Sequence, residues 1–455
     1  MPLTRFMQFH EDPAIIAWWH SQLGSALSWL TPLRRRAILA VGAVWIGVSK
    51  PREILASAKN LPVPHDWVGS AIVVSILFGI LWLSYRAAVR FASLPAFVRR
   101  RPQLTIHLIF WALVAVIWST SPAAGQWRAV VAGIAITFPF LIWRCGYLLL
   151  SGQRGRSAGT RFTDHLLTLW PIYGGSNTPY GKGLDYLSRH EAKTDIDLAR
   201  AQLAGIKLLL LAAAWSLARE VMDGVVYGVP GNMVTRVLYG HTFGIPRLGT
   251  LVGRDKEVSL WVPWISIYCE LIRQVLTLAV HGHSIIAVLR LFGFNVFRNT
   301  YKPLLAESVV EFWGRYFYYF KELLMEFFFL PTYAQWFRTW PRLRLFAAVF
   351  AAAFFGNMYY HLFQKNLLLL GDALGAWQSL NSRLFYCLLL AVGLSVSMLR
   401  AQIPMGKPSS TSAGRRLLRI FGVWTFFGLI YIWEVKSDAS FVSRTQFFWS
   451  LFWLA

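Results

Sequence analysis

Runs of almost uninterrupted apolar sequence, each close to the length needed to cross a bilayer, constrain this chain more than any other feature. They stand out at residues 67–84, 104–119, 129–151 and 203–226. A hydrocarbon core about 30 Å thick takes about 20 apolar residues in a helix. Only a helix or a closed barrel satisfies its own backbone N–H and C=O groups there. Runs this continuous exclude the short alternating strands of a barrel. With 56% hydrophobic and 15% charged residues, the chain is also too apolar for an ordinary soluble protein. The expected fold class is therefore all-α, a polytopic transmembrane helical bundle forming a single integral membrane domain over residues 1–455. Shorter or more polar runs at 37–49, 260–292, 345–363, 383–399, 417–433 and 444–455 bring the expected total to about nine to twelve helices.

Charge orients the bundle. The net charge of +24 is spread between hydrophobic runs and has no polar recognition domain beside it, so positive cytoplasmic loops explain it and nucleic acid is not an expected partner. The connectors 86–101, 154–161 and 407–416 are expected on the cytoplasmic side, and the turn Ser437-Asp438-Ala439-Ser440 on the opposite side. Residues 1–33 carry Trp18, Trp19 and Trp29, which suits an interfacial amphipathic segment. They also carry acidic residues and prolines, so no cleavable leader is expected. Residues 161–200 form the longest polar interruption of the first half and are expected to fold as a structured polar loop. It contains Tyr173-Gly174-Gly175-Ser176-Asn177 but no phosphate-cradling strand–loop–helix pattern. Cys145, Cys269 and Cys387 are widely separated and supply no metal framework. His281 and His283, at i,i+2 on a helix, do not converge on a metal either.

The segment 281–363 breaks the membrane pattern. Arg298, Asn299, Lys302, Glu307, Glu311, Arg315, Lys321, Glu322 and Glu326 are too many polar groups for a lipid-facing helix. The residues between them are too apolar for a solvated loop. A cavity, or a broken, re-entrant helix inside the bundle, accommodates both facts. At its end, Asn357 and His361 stand one turn apart and share a helix face. A lone histidine there reads either as an interfacial hydrogen-bonding residue or as a base.

The segment resembles the membrane-bound O-acyltransferase (MBOAT) family, in particular its bacterial members that acylate cell-surface polymers. The resemblance lies in Gly282-His283-Ser284 through Leu291-Phe292-Gly293-Phe294 and in Asn299 to Pro303. It continues through Glu311-Phe312-Trp313-Gly314-Arg315 and Glu326-Phe327-Phe328-Phe329-Leu330-Pro331, and closes with Gly356 to His361. The spacing from Trp313 to Pro331 fits without a gap. It departs from the family at Tyr316-Phe317, where a polar active-site residue is usual, and at Tyr360, where a tryptophan usually precedes the histidine.

The resemblance implies a bundle of the MBOAT type with re-entrant or broken helices around a central cavity, and 281–363 as its core segment. It implies an O-acyltransferase in the bacterial cytoplasmic (inner) membrane. The donor would be a cytosolic acyl-coenzyme A or acyl-carrier-protein thioester, with no tightly bound cofactor and no metal. The acceptor would be a hydroxyl of a cell-envelope glycan, lipid or other molecule. Membrane lipid, an acyl carrier protein, and an envelope acceptor or secreted partner protein are the expected partners. His361 is the expected general base, since imidazole ionises near neutrality. Asn357, Asn299, Tyr318 and Tyr319 are the candidate hydrogen-bond donors, and Glu311, Arg315 and Glu326 a candidate supporting network. Phe317 has no proton to exchange, which keeps a noncatalytic scaffold or transporter as the alternative.

Overall fold

A computed structural model describes residues 8–121, 125–169, 182–253, 258–362, 365–401 and 412–452. Parts of the polar loop 161–200 and of the connector 407–416 lie outside these residues. The regular secondary structure of the described residues is all helical, apart from one isolated antiparallel bridge, Glu191 to Phe294. Among the described residues seven helices are long and apolar enough to cross a membrane: Trp67–Val89, Pro102–Ser119, Asp195–Val225, Trp261–Leu291, Pro341–Leu362, Asn381–Ala401 and Ala413–Trp433. Gly125–Thr137 and Leu141–Gln153, bent by 68°, make an eighth if they form one broken span. The count is below the nine to twelve expected. The run at 37–49 belongs to a longer helix, Pro32–Ser57, whose ends carry Arg34, Arg35, Arg36, Lys50 and Arg52. Among the described residues the last run is helical from Phe441 to Ser450, too short to span.

The chain divides into two compact units. The first comprises Met1–Leu208, Ile285–Phe297 and His361–Trp377. Its helices start where the sequence supplies caps. Thr31 accepts from Arg34 N and Asp66 from Gly69 N, with Pro32 at the first position of the former helix. Each satisfies an N–H that the helix cannot. Small residues let backbones meet: a Cβ on Gly152 would lie 2.5 Å from Ala88 O. A buried ionic centre joins distant segments. Arg35, 2% exposed, donates to Ala192 O at 2.8 Å, and Arg36 grips both oxygens of Glu191, whose side chain is 1% exposed. Gly293 faces Arg35 with φ +84°, and a Cβ there would lie 2.7 Å from Arg35 Nη1, so only glycine fits on both counts.

The second unit comprises Leu209–Ser284, Arg298–Tyr360 and Gln378–Ala455. Its apolar interior gathers around Leu248, Ile267, Ile432 and Trp433, and Phe312 stacks on Phe427 at 4.0 Å. The charges that a membrane would reject are paired. Arg247 holds Glu270 by two bonds of 2.7 Å, Arg273 holds Asp223 at 2.6 Å, and Arg383 holds Glu434 at 3.1 Å. Removing one partner of a buried pair costs about 3–5 kcal/mol, because the other charge is left desolvated. Two π-helical turns, Met325–Phe329 and Ala351–Gly356, pack on each other. Gly356 permits the approach, since a Cβ there would lie 2.7 Å from the Phe328 ring.

Candidate functional site

The segment that breaks the membrane pattern is organised by one interruption. Helix Val309–Tyr316 ends at Phe317, with φ −133° and ψ 64°, and Tyr318–Leu324 begins immediately after it. A helix start leaves its first N–H groups without partners inside the helix. Asn299 supplies two acceptors: its carbonyl takes Tyr318 N at 3.0 Å, and its Oδ1 takes Tyr319 N at 3.1 Å. This side chain, remote in sequence, does the work of an N-cap. Asn299 is 0% exposed, and the approach is possible because Gly282, 3.2 Å from it at a notional Cβ, has no side chain. Tyr301 N to Arg315 O (2.7 Å) and Thr300 Oγ1 to Tyr316 O (3.1 Å) continue the same ladder.

The acidic and basic candidates are tied into the local backbone. Glu311 accepts from Glu307 N at 2.6 Å and pairs with Arg315 one turn on, while Ser308 caps Glu311 N at 3.2 Å. This is a capping arrangement with an i,i+4 ion pair. Both side chains remain about a third exposed. Glu307 also receives Arg416 and Arg419 at 3.0 Å each, which ties the segment to helix Ala413–Ile430. Trp424 Nε1 donates to Leu304 O at 2.9 Å and adds a second tie. Glu326 lies half-buried in the first π turn. Burial raises the Tyr316 phenol above its ordinary value, so it stays protonated at neutral pH. Burial lowers the Arg298 guanidinium, although its Tyr301 neighbour, 4.1 Å away, favours the charge.

Asn357 opens the helix Asn357–Leu362 that follows the second π turn, and His361 lies one turn further. Asn357 is 2% exposed and His361 half-buried. Tyr360 packs on Phe320 at 4.9 Å, and Tyr359 on Phe328 at 6.4 Å. The aromatic layer thus joins this helix to Tyr318–Leu324 and to the first π turn. Three groupings emerge: Asn299 with Tyr318 and Tyr319, Glu311 with Arg315, and Asn357 with His361 on one short helix. Phe317 belongs to the aromatic layer, against Tyr316 at 5.5 Å and Phe320 at 5.7 Å. Among the described residues no group of three or more His, Cys, Asp or Glu could hold a metal.

Glu270 and Arg273 sit inside the apolar run 260–292, and their partners Arg247 and Asp223 come from outside it. Those lie 23 and 50 residues away. The only local signal was a carboxylate inside an apolar run. Comparison with protein-family models and with curated proteins finds no match.

Proposed function

We propose that this chain is a membrane-bound O-acyltransferase of a bacterial cytoplasmic membrane. It would carry an acyl group from acyl-coenzyme A or an acyl-carrier-protein thioester on the cytosolic side to a hydroxyl of a cell-envelope glycan, lipid or other acceptor. The observation that carries the reading is the order of elements over 281–363. The last turns of helix Trp261–Leu291, which carry Gly282, a buried Asn299 loop, the Phe312-Trp313-Gly314-Arg315 helix and the Glu326 π turn lead to the short helix Asn357–Leu362, which carries His361. Two π turns in contact, the second just ahead of Asn357, support it further, since such turns concentrate at functional sites. In this reading the broken helices line a central cavity reached by the thioester.

The proposed chemistry is direct transfer. The His361 imidazole takes the proton of the acceptor hydroxyl as its oxygen attacks the thioester carbonyl. The tetrahedral intermediate collapses with loss of the C–S bond, and the thiolate takes the proton back from the imidazolium. Asn357, one turn before His361, is the preferred donor to the oxyanion. Asn299, with Oδ1 engaged by Tyr319 N, holds the segment's fold in this scheme. Phe317, set in the aromatic layer, favours a second reading as a noncatalytic scaffold or transporter. Reconstituting purified protein in vesicles with defined acyl thioesters, and following released thiol and acylated product by mass spectrometry, separates the two. Turnover by wild type supports transfer, and its absence with both donor classes supports the scaffold.

A further inference from the structure

A cleft of about 890 Å³ opens in the second unit between the 247–253 connector, helix Trp261–Leu291 and the 431–443 turn. Its volume falls in the range of about 300–1,000 Å³ that suits a small-molecule ligand, but its lining is mainly polar where most such pockets are apolar. That lining disfavours an acyl chain or a lipid tail. Two cations, Arg247 and Lys436, face two anions, Glu270 and Asp438. The cleft is thus balanced in charge although the whole chain carries +24, which disfavours an anionic ligand.

The walls are prearranged. Glu270, 1% exposed at its side chain, is fixed by the paired bonds from Arg247. Arg247 in turn lies over the Tyr227 ring at 4.9 Å. Burial pushes the Arg247 guanidinium down, but its bonds to Glu270 more than offset this, so it keeps its charge. The opposite rim is stitched by Arg444, 4% exposed, which donates to Ile432 O, Val435 O, Ser437 O and Ala439 O at 2.6–3.2 Å. Arg444 therefore sets the turn and leaves Lys436 and Asp438 exposed to the cleft. Gly249 lets the two walls touch, for a Cβ there would lie 2.5 Å from Lys436 O.

The same lining includes the hydroxyl-bearing residues Thr250, Ser437, Ser443 and Tyr431 and the amide of Gln274. Hydroxyls and amides both donate and accept, and the Tyr431 ring offers an apolar surface beside them. A ligand matched to this lining is uncharged, bears many hydroxyls in alternation, and has C–H faces to rest on an aromatic ring. From this we infer that the cleft is a binding site for a neutral carbohydrate of oligosaccharide size, free or as the headgroup of a glycolipid. The inference stands on the lining of the cleft and does not depend on acyl transfer.

The test is binding by full-length protein in nanodiscs, with no acyl donor present. Probes are neutral oligomers of glucose, galactose, mannose and N-acetylglucosamine, uronic-acid oligomers of equal length, and nanodiscs containing a neutral glycosyl diacylglycerol. At least one neutral sugar should bind with an affinity that hardly changes with salt, and the uronic-acid oligomers at least tenfold more weakly. Competition between the glycolipid and the free oligomer assigns the source. The double variant Lys436→Gln with Asp438→Asn, at two exposed positions, should lose at least tenfold in affinity with unchanged thermal unfolding. Thr250→Trp, which fills the cleft from its rim, should abolish binding. No binding by any neutral probe, binding that both variants retain, or a salt-sensitive preference for the acidic oligomers would each overturn the assignment.

Discussion

Replacing Asn299 by alanine isolates what its side chain does. The backbone carbonyl still takes Tyr318 N, but Oδ1, the acceptor for Tyr319 N at 3.1 Å, is lost. A lost N-cap costs about 1 kcal/mol, and a buried N–H left without a partner costs about 1–3 kcal/mol. The two descriptions overlap, so about 2 kcal/mol is the expected loss at the start of helix Tyr318–Leu324. If that helix opens locally, 2 kcal/mol corresponds to amide exchange about thirtyfold faster. Hydrogen-exchange mass spectrometry on peptides covering 318–324 reads this directly, with peptides from helix Trp67–Val89 as the internal control. Gly282→Ala should give a smaller change in the same peptides, because the new methyl presses on Asn299 at 3.2 Å. Exchange in 318–324 within about threefold of wild type in Asn299→Ala would refute the capping role. Loss of turnover with unchanged exchange would instead make Asn299 a participant in chemistry.

Three further outcomes follow from the packing. Burial lowers the His165 imidazole to about 4 from 6.5, so the folded state disfavours its protonation. The unfolded state then binds more protons between those values, and stability, full above pH 6.5, falls by about 3 kcal/mol as pH drops to 4. His165→Gln should flatten that part of the profile of unfolding against pH. Gly293→Ala should destabilise the protein by about 2–3 kcal/mol, since it combines a left-handed backbone with a contact against buried Arg35. Urea titration of the detergent-solubilised variant checks this. In sealed vesicles, cysteines placed in 86–101 and 154–161 should be labelled from the cytoplasmic side and one at Asp438 from the other; the reverse pattern would invert the orientation.

What could be read from the chain was whatever depends on neighbours a few residues apart. The long apolar helices, the polar interruption of the membrane pattern over 281–363 and the Glu311–Arg315 pair all lie within one or two turns of their causes. Arg35 was not legible in this way. It stands in a basic triplet that reads as a solvated loop, yet it is buried because its acceptor, Ala192 O, arrives from 157 residues further on. Asn299 reads as a polar residue in a site, and only the interruption at Phe317 shows why two N–H groups need it. The contact between the two π turns has no local signature either, since it needs Phe328 to lie where Gly356 has no side chain. The polar cleft has no local signature for the same reason, as its lining comes from three separate stretches of sequence.

The proposed acyl transfer turns on one proton movement, from the acceptor hydroxyl to His361. Wild type and His361→Ala, reconstituted side by side in vesicles, should be compared for thioester turnover and for donor binding, with equal folded protein in each sample. His361→Ala is expected to bind the donor as wild type does and to turn over at least a hundredfold more slowly, the usual scale for loss of a general base. Turnover by His361→Ala close to that of wild type would contradict that proton transfer.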